Sequence, residues 1–186
     1  ISMVQIAEAA MDEATTILSR IRDLAVQGAN DSLATAERDF LEVESDKLLT
    51  AYDDVFKQAK WNGSVLFGTT QDESKVIQIG ADDGDVLTIT FADTSYDHYA
   101  LVDGTNVEFD DNGEASDTIA AIDVALTALA TDRASLGATQ TQLESTVRNL
   151  SNVAENTAAA AGRIMDTDYA AETANLTKAQ ILQQAA

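Results

Sequence analysis

Ile119, Ile122, Leu126, Leu129, Arg133, Leu136, Gln140, Leu143, Val147, Leu150, Ala154, Thr157, Ala161 and Ile164 mark out the stretch from Asp117 to Ile164. The steps alternate three, four, three, four without a break, and eleven of these fourteen positions are apolar; Arg133, Gln140 and Thr157 are the exceptions. A period of 3.5 predicts a helix that packs along one seam in a left-handed supercoil. No proline interrupts it. At about 1.5 Å per residue such a helix is roughly 70 Å long. A helix of this length cannot bury its stripe alone, so the rest of the chain is expected to supply partners.

Two further stretches carry a matching pattern. Met3, Ile6, Ala10, Ala14, Ile17, Ile21, Leu24 and Gly28 step by three or four, which predicts a helix over 3–29. Asn30-Asp31-Ser32 is a turn cluster, and Ser32 or Thr35 is a candidate cap for a second helix over about 36–59. In that helix Leu41, Leu48 and Val55 repeat at seven, with Ser45, Tyr52 and Ala59 between them. Acids crowd its N-terminal half and Lys57 and Lys60 sit at the other end, as the macrodipole favours. The short connection predicts that these two helices are antiparallel neighbours.

The middle of the chain reads differently. Trp61-Asn62-Gly63 ends the second helix in a strong turn signal. Val65-Leu66-Phe67 is a short extended piece, and Val76–Ile79 and Val86–Phe91 are two strands joined through Ala81-Asp82-Asp83-Gly84-Asp85. Leu87, Ile89 and Phe91 alternate with Val86, Thr88 and Thr90, as a hairpin with one buried face requires. Val107-Glu108-Phe109 is a further strand candidate, Asp110-Asp111-Asn112-Gly113 a turn, and Ser116 or Asp117 the expected cap of the long helix. After Ile164 a break over Met165–Tyr169 precedes a last helical stretch, Ala170 to Ala186. The expected fold is α+β but mainly α: an elongated antiparallel bundle of coiled-coil-like helices with a small β-hairpin insertion at one end. Its parts are an N-terminal helical part, 1–60, a β-rich acidic insertion, 61–116, the long helix, 117–168, and a final helix, 169–186. The abrupt, helix-like sequence at both ends suggests a trimmed core of something longer.

Composition narrows the function. The 186 residues hold 32 acids and 11 bases, a net charge of −21, with neither cysteine nor proline. Between Lys75 and Arg133 there is no Lys or Arg, while the same stretch holds thirteen Asp and Glu. Such a surface repels nucleic acid and anionic lipid. Disulfides and Cys-based zinc sites are excluded, and no apolar run is long enough to span a bilayer as a helix. His98, beside Tyr96 and Tyr99, is the sole histidine and has neither a Cys nor a second His near it, which makes it a poor catalyst candidate, because a catalytic base needs an orienting partner and a nucleophile or substrate. The turn Glu108–Gly113 starts like a calcium loop, but Ile119 stands where that loop needs a bidentate Glu. Neither an enzyme, a cofactor nor a metal site is expected. Arg20, Arg22 and the acidic face of the second helix are read either as ion pairs inside the bundle or as a recognition face for a partner.

Several motifs, in order along the chain, resemble the bacterial flagellins. Ile1–Glu8 is similar to the start of that family's filament-core region, and Leu18-Ser19-Arg20-Ile21-Arg22-Asp23-Leu24-Ala25-Val26-Gln27 to its Leu-Gln-Arg-x-Arg-Glu-Leu-x-Val-Gln element. Here Ser19 replaces Gln and Asp23 replaces Glu. Trp61-Asn62-Gly63 resembles the family's Phe-Asn-Gly turn, and Ile79-Gly80-Ala81 its hairpin. Arg133–Ala138 with Leu143-Glu144-Ser145 resembles its second long core helix. Arg163–Glu172 and Ala179–Gln184 resemble its C-terminal signature. Residues 92–114 match no family motif and correspond to its variable surface insert.

The resemblance implies a structural subunit of the extracellular flagellar filament that self-assembles for motility. Its implied partners are other flagellin subunits, an export chaperone and the filament cap, with no nucleic acid and no membrane. It further implies recognition by Toll-like receptor five through Arg20 and Leu24 of the first helix and Glu44 of the second, on a surface that overlaps the filament contacts. The alternative is a flagellin-like surface adhesin that binds glycans through the acidic insert, with Tyr96, His98 and Tyr99 as contacts.

Overall fold

In the computed structural model, residues 1–68, 73–80, 82–92, 107–109, 111–165 and 169–185 are described. Helix α1 (Ser2–Gly28) and helix α2 (Thr35–Gln58) open the chain. The hairpins β1–β2 (Lys60–Trp61 with Ser64–Val65) and β3–β4 (Glu73–Gln78 with Val86–Phe91) follow. Helices α3 (Asn112–Met165) and α4 (Tyr169–Ala185) close it. No described helix is long and apolar enough to cross a membrane. The chain forms two compact units, Ile1–Leu143 and Glu144–Ala186, so the β insertion belongs to the first.

The core of the first unit lies along α1. Val4, Ala7, Met11, Ala14, Leu18, Ile21, Ala25 and Gly28 are buried, and Ile17 and Leu24 beside them. This stripe is displaced from the expected one in the first half of the helix: Val4, Ala7 and Met11 take the core positions assigned to Met3, Ile6 and Ala10. The cause is the number of partners. α1 is flanked by α2 and α3, so its apolar face is wider than a two-helix seam, and small side chains such as Ala7 and Ala14 let neighbours approach.

Asp12 pairs with Arg133 at 3.0 Å and Arg22 with Asp123 at 2.7 Å. Ten residues forward along α1 is ten residues back along α3, so the two helices are antiparallel and keep register. By that register Ser2 lies opposite Leu143. Burial along the α3 seam follows: Ile122, Leu129, Leu136 and Leu143 are buried, whereas Val147 is 52% exposed and Leu150 43%.

The ends of the helices differ from the expected ones in chemistry as well as position. α3 begins five residues before Asp117, and Asp111 caps it: its carboxylate accepts the Glu114 N–H at 2.8 Å. The stretch read as an Asp-Asn-Gly turn is therefore the first turn of a helix, with Glu114 at the third position where the dipole favours an acid. α2 starts behind Ala34, not behind a Ser32 or Thr35 cap. There the Glu37 carboxylate accepts the Ala34 N–H at 3.0 Å, half of a capping box.

Asn62 and Gly63 take φ of 49° and 82°, the two positive values that a two-residue hairpin turn of matching twist needs. Leu66 then folds back, its N–H donating to the Ala59 carbonyl at 2.9 Å. β3 starts three residues earlier than expected and ends at Gln78, and β4 buries Leu87, Ile89 and Phe91 as its alternation predicts. A file of edge-to-face rings joins helix to hairpin, with centroids at 5.0 Å for Tyr52–Phe56, 5.0 Å for Phe56–Phe67 and 5.9 Å for Phe67–Phe91. Val107-Glu108-Phe109 pairs with neither hairpin. Instead the buried Thr118 hydroxyl serves both backbone groups of Glu108, donating to its carbonyl at 3.1 Å and accepting its N–H at 3.2 Å. Between α3 and α4, residues 166–168 of the expected break lie outside the described residues.

Candidate functional site

Helices α1 and α2 present one face that carries Arg20 and Glu44, two of the three positions singled out by motif. The Arg20 guanidinium reaches across to α2 and donates to a single carboxylate oxygen of Glu44, from Nε at 3.0 Å and from Nη2 at 2.6 Å. Both side chains remain about half exposed, so the pair is a surface feature. An exposed pair of this kind contributes roughly 0.2–1 kcal/mol, less at high salt, so its first consequence is geometric. It fixes two long side chains side by side on a rigid helix pair.

Leu24 is placed differently. It sits one turn beyond Arg20 on the same helix but is 0% exposed and belongs to the core. The structure therefore brings Arg20 and Glu44 together at the surface and puts Leu24 beneath it. Any effect of Leu24 on a partner passes through the position of α1.

Two further interactions hold the helices behind this face; of the two arginines set against the acids of the second helix, only Arg20 goes there. Arg22 turns to the other side of α1 and donates to Asp123 of α3. That hydrogen bond, and secondly the opposite charge, raises the Arg22 pKa; the same hydrogen bond lowers that of Asp123. Arg38 of α2 donates to the Gly28 carbonyl at 3.1 Å and the Asn30 carbonyl at 3.3 Å. A cation on these C-terminal carbonyls opposes the negative end of the α1 dipole and locks the α1–α2 turn. The sequence signal for Arg38 was available, since it is the single base in the first two turns of an acidic helix.

Farther along α1, Arg133 and Asp12 border an open recess of about 340 Å³ with Gln5, Glu8 and Ala9. It mixes charges of both signs and has little apolar lining, which suits water and counter-ions better than an organic ligand. In the acidic turn before β4 the Gln78 side-chain amide donates to the carbonyls of Gly80 and Asp82 at 3.0 and 2.8 Å. Tyr96, His98 and Tyr99 lie outside the described residues.

The second unit is helical throughout its described residues and leaves apolar side chains exposed: Val147, Leu150 and Val153 on α3, Leu176, Ile181 and Leu182 on α4. The three on α3 recur at intervals of three, the three on α4 fall within two turns, and no described helix covers either set.

Comparison with known proteins accounts for both ends of the chain. Residues 1–72 match the model of the bacterial flagellin N-terminal helical region, and residues 119–186 that of the bacterial flagellin C-terminal helical region. A flagellin of Halalkalibacterium halodurans is 37% identical over 187 residues, covering 100% of this chain and 67% of the relative. The flagellar filament 33 kDa core protein of Treponema phagedenis is 34% identical, covering 99% of this chain and 68% of the relative. Among solved structures, Bacillus cereus flagellin superposes with a TM-score of 0.66 at 30% identity, covering 86% of this chain and 90% of that one. FliC from Burkholderia pseudomallei shares the fold with a TM-score of 0.62 at 15% identity, covering 75% of this chain and 98% of that one.

Proposed function

The chain belongs to the bacterial flagellin family, and on that premise we propose which of its surfaces do the work of a filament subunit. It is a structural protein of the extracellular flagellar filament, not an enzyme, and its partners in assembly are other flagellin subunits. The observation that carries the proposal is the change along α3. The seam is buried up to Leu143 and exposed from Val147 onward, although its spacing does not change. An apolar stripe that continues past its cover needs a second helix, either from a longer form of the same polypeptide or from the helices packed around it in a filament. Val147, Leu150, Leu176, Ile181 and Leu182 are accordingly proposed as positions that become buried on assembly. Before assembly the same stripe is a hazard for non-specific association, which gives an export chaperone something to cover and the filament cap something to fold.

The Arg20–Glu44 face is proposed as the second surface, used in subunit contacts and by Toll-like receptor five. Arg20 and Glu44 are the touching residues and Leu24 the support beneath them. Seeded growth followed by electron microscopy tests the first proposal: Val147→Asp and Leu182→Asp are expected to stop elongation of an otherwise folded protein. Normal filaments from both variants would overturn it. Binding to the isolated receptor ectodomain tests the second. Arg20→Ala should weaken it at least about tenfold, and Leu24→Ala by no more than its effect on the fold explains. Equal affinity of Arg20→Ala and wild type would remove the receptor proposal without touching the filament.

A further inference from the structure

We infer that copies of this chain join head to tail through two patches at opposite ends of α2: the β1–β2 hairpin of one copy docks on the first turns of α2 in the next. The inference rests on the chain being a filament subunit and goes beyond it by naming the residues of one contact. A filament that grows without closing requires at least one contact between two different, complementary surfaces. The first unit offers such a pair.

Phe40 is 74% exposed and Val43 53%, neighbours one turn apart on α2. Asp39 and Asp46 flank them on the same helix, both exposed, while Glu44 is held by Arg20. This patch is apolar at its centre; the two acids stand on its rim, together with the exposed Lys47 one turn beyond Val43. At the other end of α2, Trp61 is 43% exposed and Val65 39%, both on the β1–β2 hairpin, with the exposed Lys60 beside Trp61. Lys60 has no ion-pair partner among the described residues. This second patch is apolar with a basic rim. Phe40 and Trp61 are the exposed large aromatics among the described residues, and aromatic side chains ringed by charge are the usual anchors of an interface.

Two arguments select a second copy as the occupant. The first is charge. The first unit holds 27 of the 32 acids and 8 of the 11 bases, so two copies repel unless bases are spent where they meet. Lys60 against Asp39 and Asp46 is such a place. The second is geometry. From Phe40 to the end of α2 is about 27 Å at 1.5 Å per residue, so the two patches cannot meet within one copy and face outward at separate ends of a stiff element. Asn62 and Gly63, at φ of 49° and 82°, make the hairpin a fixed tip.

The test uses cross-linking in a chain that has no cysteine of its own. Ala36→Cys lies one turn before Phe40 on its face of α2, and Ser64→Cys pairs across the hairpin with Trp61. A chain that carries both is oxidised mildly at high concentration and resolved on a non-reducing gel. The expected result is a ladder of disulfide-linked multimers, where either single variant gives at most dimers. Adding Phe40→Asp or Lys60→Glu should cut the ladder at least about tenfold, and Asp39→Lys with Asp46→Lys should restore it in the Lys60→Glu background. All these positions are exposed, and far-UV circular dichroism checks that each variant folds. No ladder, or a ladder that ignores Phe40→Asp and Lys60→Glu, overturns the inference. Filaments in the microscope without a ladder would overturn this contact and leave the filament reading intact.

Discussion

Gly28 is closed against Phe109: a Cβ added to Gly28 would lie 3.1 Å from Cδ1 of the Phe109 ring and 3.3 Å from Cγ. The last residue of α1 is thus the floor on which the segment 107–109 rests, with Thr118 holding that segment to α3 by two hydrogen bonds. This joins the C-terminal end of α1, the first turns of α3 and the end of the acidic insert. Gly28→Val forces branched carbons into the contact and is expected to cost about 1–3 kcal/mol. Gly28→Ala should be near neutral, because a helical alanine gains up to about 1 kcal/mol over glycine and offsets a contact that yields by tenths of an ångström. Urea unfolding of both variants measures the difference. A Val variant as stable as wild type would mean that Phe109 is not held where it is described.

A carboxylate placed at two seam positions of α3 should have opposite consequences. Leu136 is buried, and Leu136→Asp puts an unpaired polar group in the core, at a cost of roughly 3–5 kcal/mol. Far-UV circular dichroism should show loss of helix and a steep fall in melting temperature. Val147 continues the same heptad yet is half exposed, and Val147→Asp should leave the melt within about 0.5 kcal/mol. If both variants melted alike, the boundary of burial at Leu143 would be wrong.

That boundary also shows what the sequence could and could not reveal. The 3.5-residue period of α3, the Asn62-Gly63 turn and the buried face of β4 were legible because each depends on local spacing alone. How far along α3 the seam is covered depends on the register of α1, which is fixed by Asp12–Arg133 and Arg22–Asp123 across more than a hundred residues of chain. The stripe on α1 was misplaced for a related reason: a helix with two neighbours buries more than one seam, and alanines that admit a neighbour closely carry little hydropathy. Asp111 was overlooked because Asn112-Gly113 is a strong turn signal. Its carboxylate and Glu114, three residues apart, outweigh that signal by satisfying the first turn of a helix. Of the three motif positions, Arg20 and Glu44 were legible as a surface pair, whereas the depth of Leu24 requires knowing which side of α1 the core occupies.

Two glycines should respond to alanine with opposite sign. Gly63 sits at φ of 82°, where a side chain is strained, so Gly63→Ala is expected to destabilise by about 1–2 kcal/mol and to loosen the β1–β2 tip. Gly137 lies inside α3 with nothing within 4 Å of an added Cβ, so Gly137→Ala is expected to stabilise by about 0.5–1 kcal/mol. Equilibrium unfolding decides both. A stabilising Gly63→Ala would contradict the turn geometry.

The Arg22–Asp123 pair predicts a small dependence of stability on acid. Asp123 has a pKa held below the ordinary carboxylate value, first by the hydrogen bond from Arg22 and then, against some desolvation, by its charge. A carboxylate with a depressed folded pKa contributes stability that is fully present above the unfolded value, about 3.9, and is lost as pH falls through the folded value. Arg22 is shifted upward, so its share is present across the whole neutral range and fades only in strong alkali. Both groups lie at the surface, and salt should weaken the effect. NMR titration of the Asp123 carboxyl carbon is expected to give a midpoint below about 3.9 in wild type, moving up in Arg22→Ala. Asp123→Asn should correspondingly remove the part of the acid destabilisation that vanishes with Arg22→Ala. An unperturbed midpoint in wild type would show that the α1–α3 clasp is open in solution at this position, and that the register rests on Asp12–Arg133 and the buried seam alone.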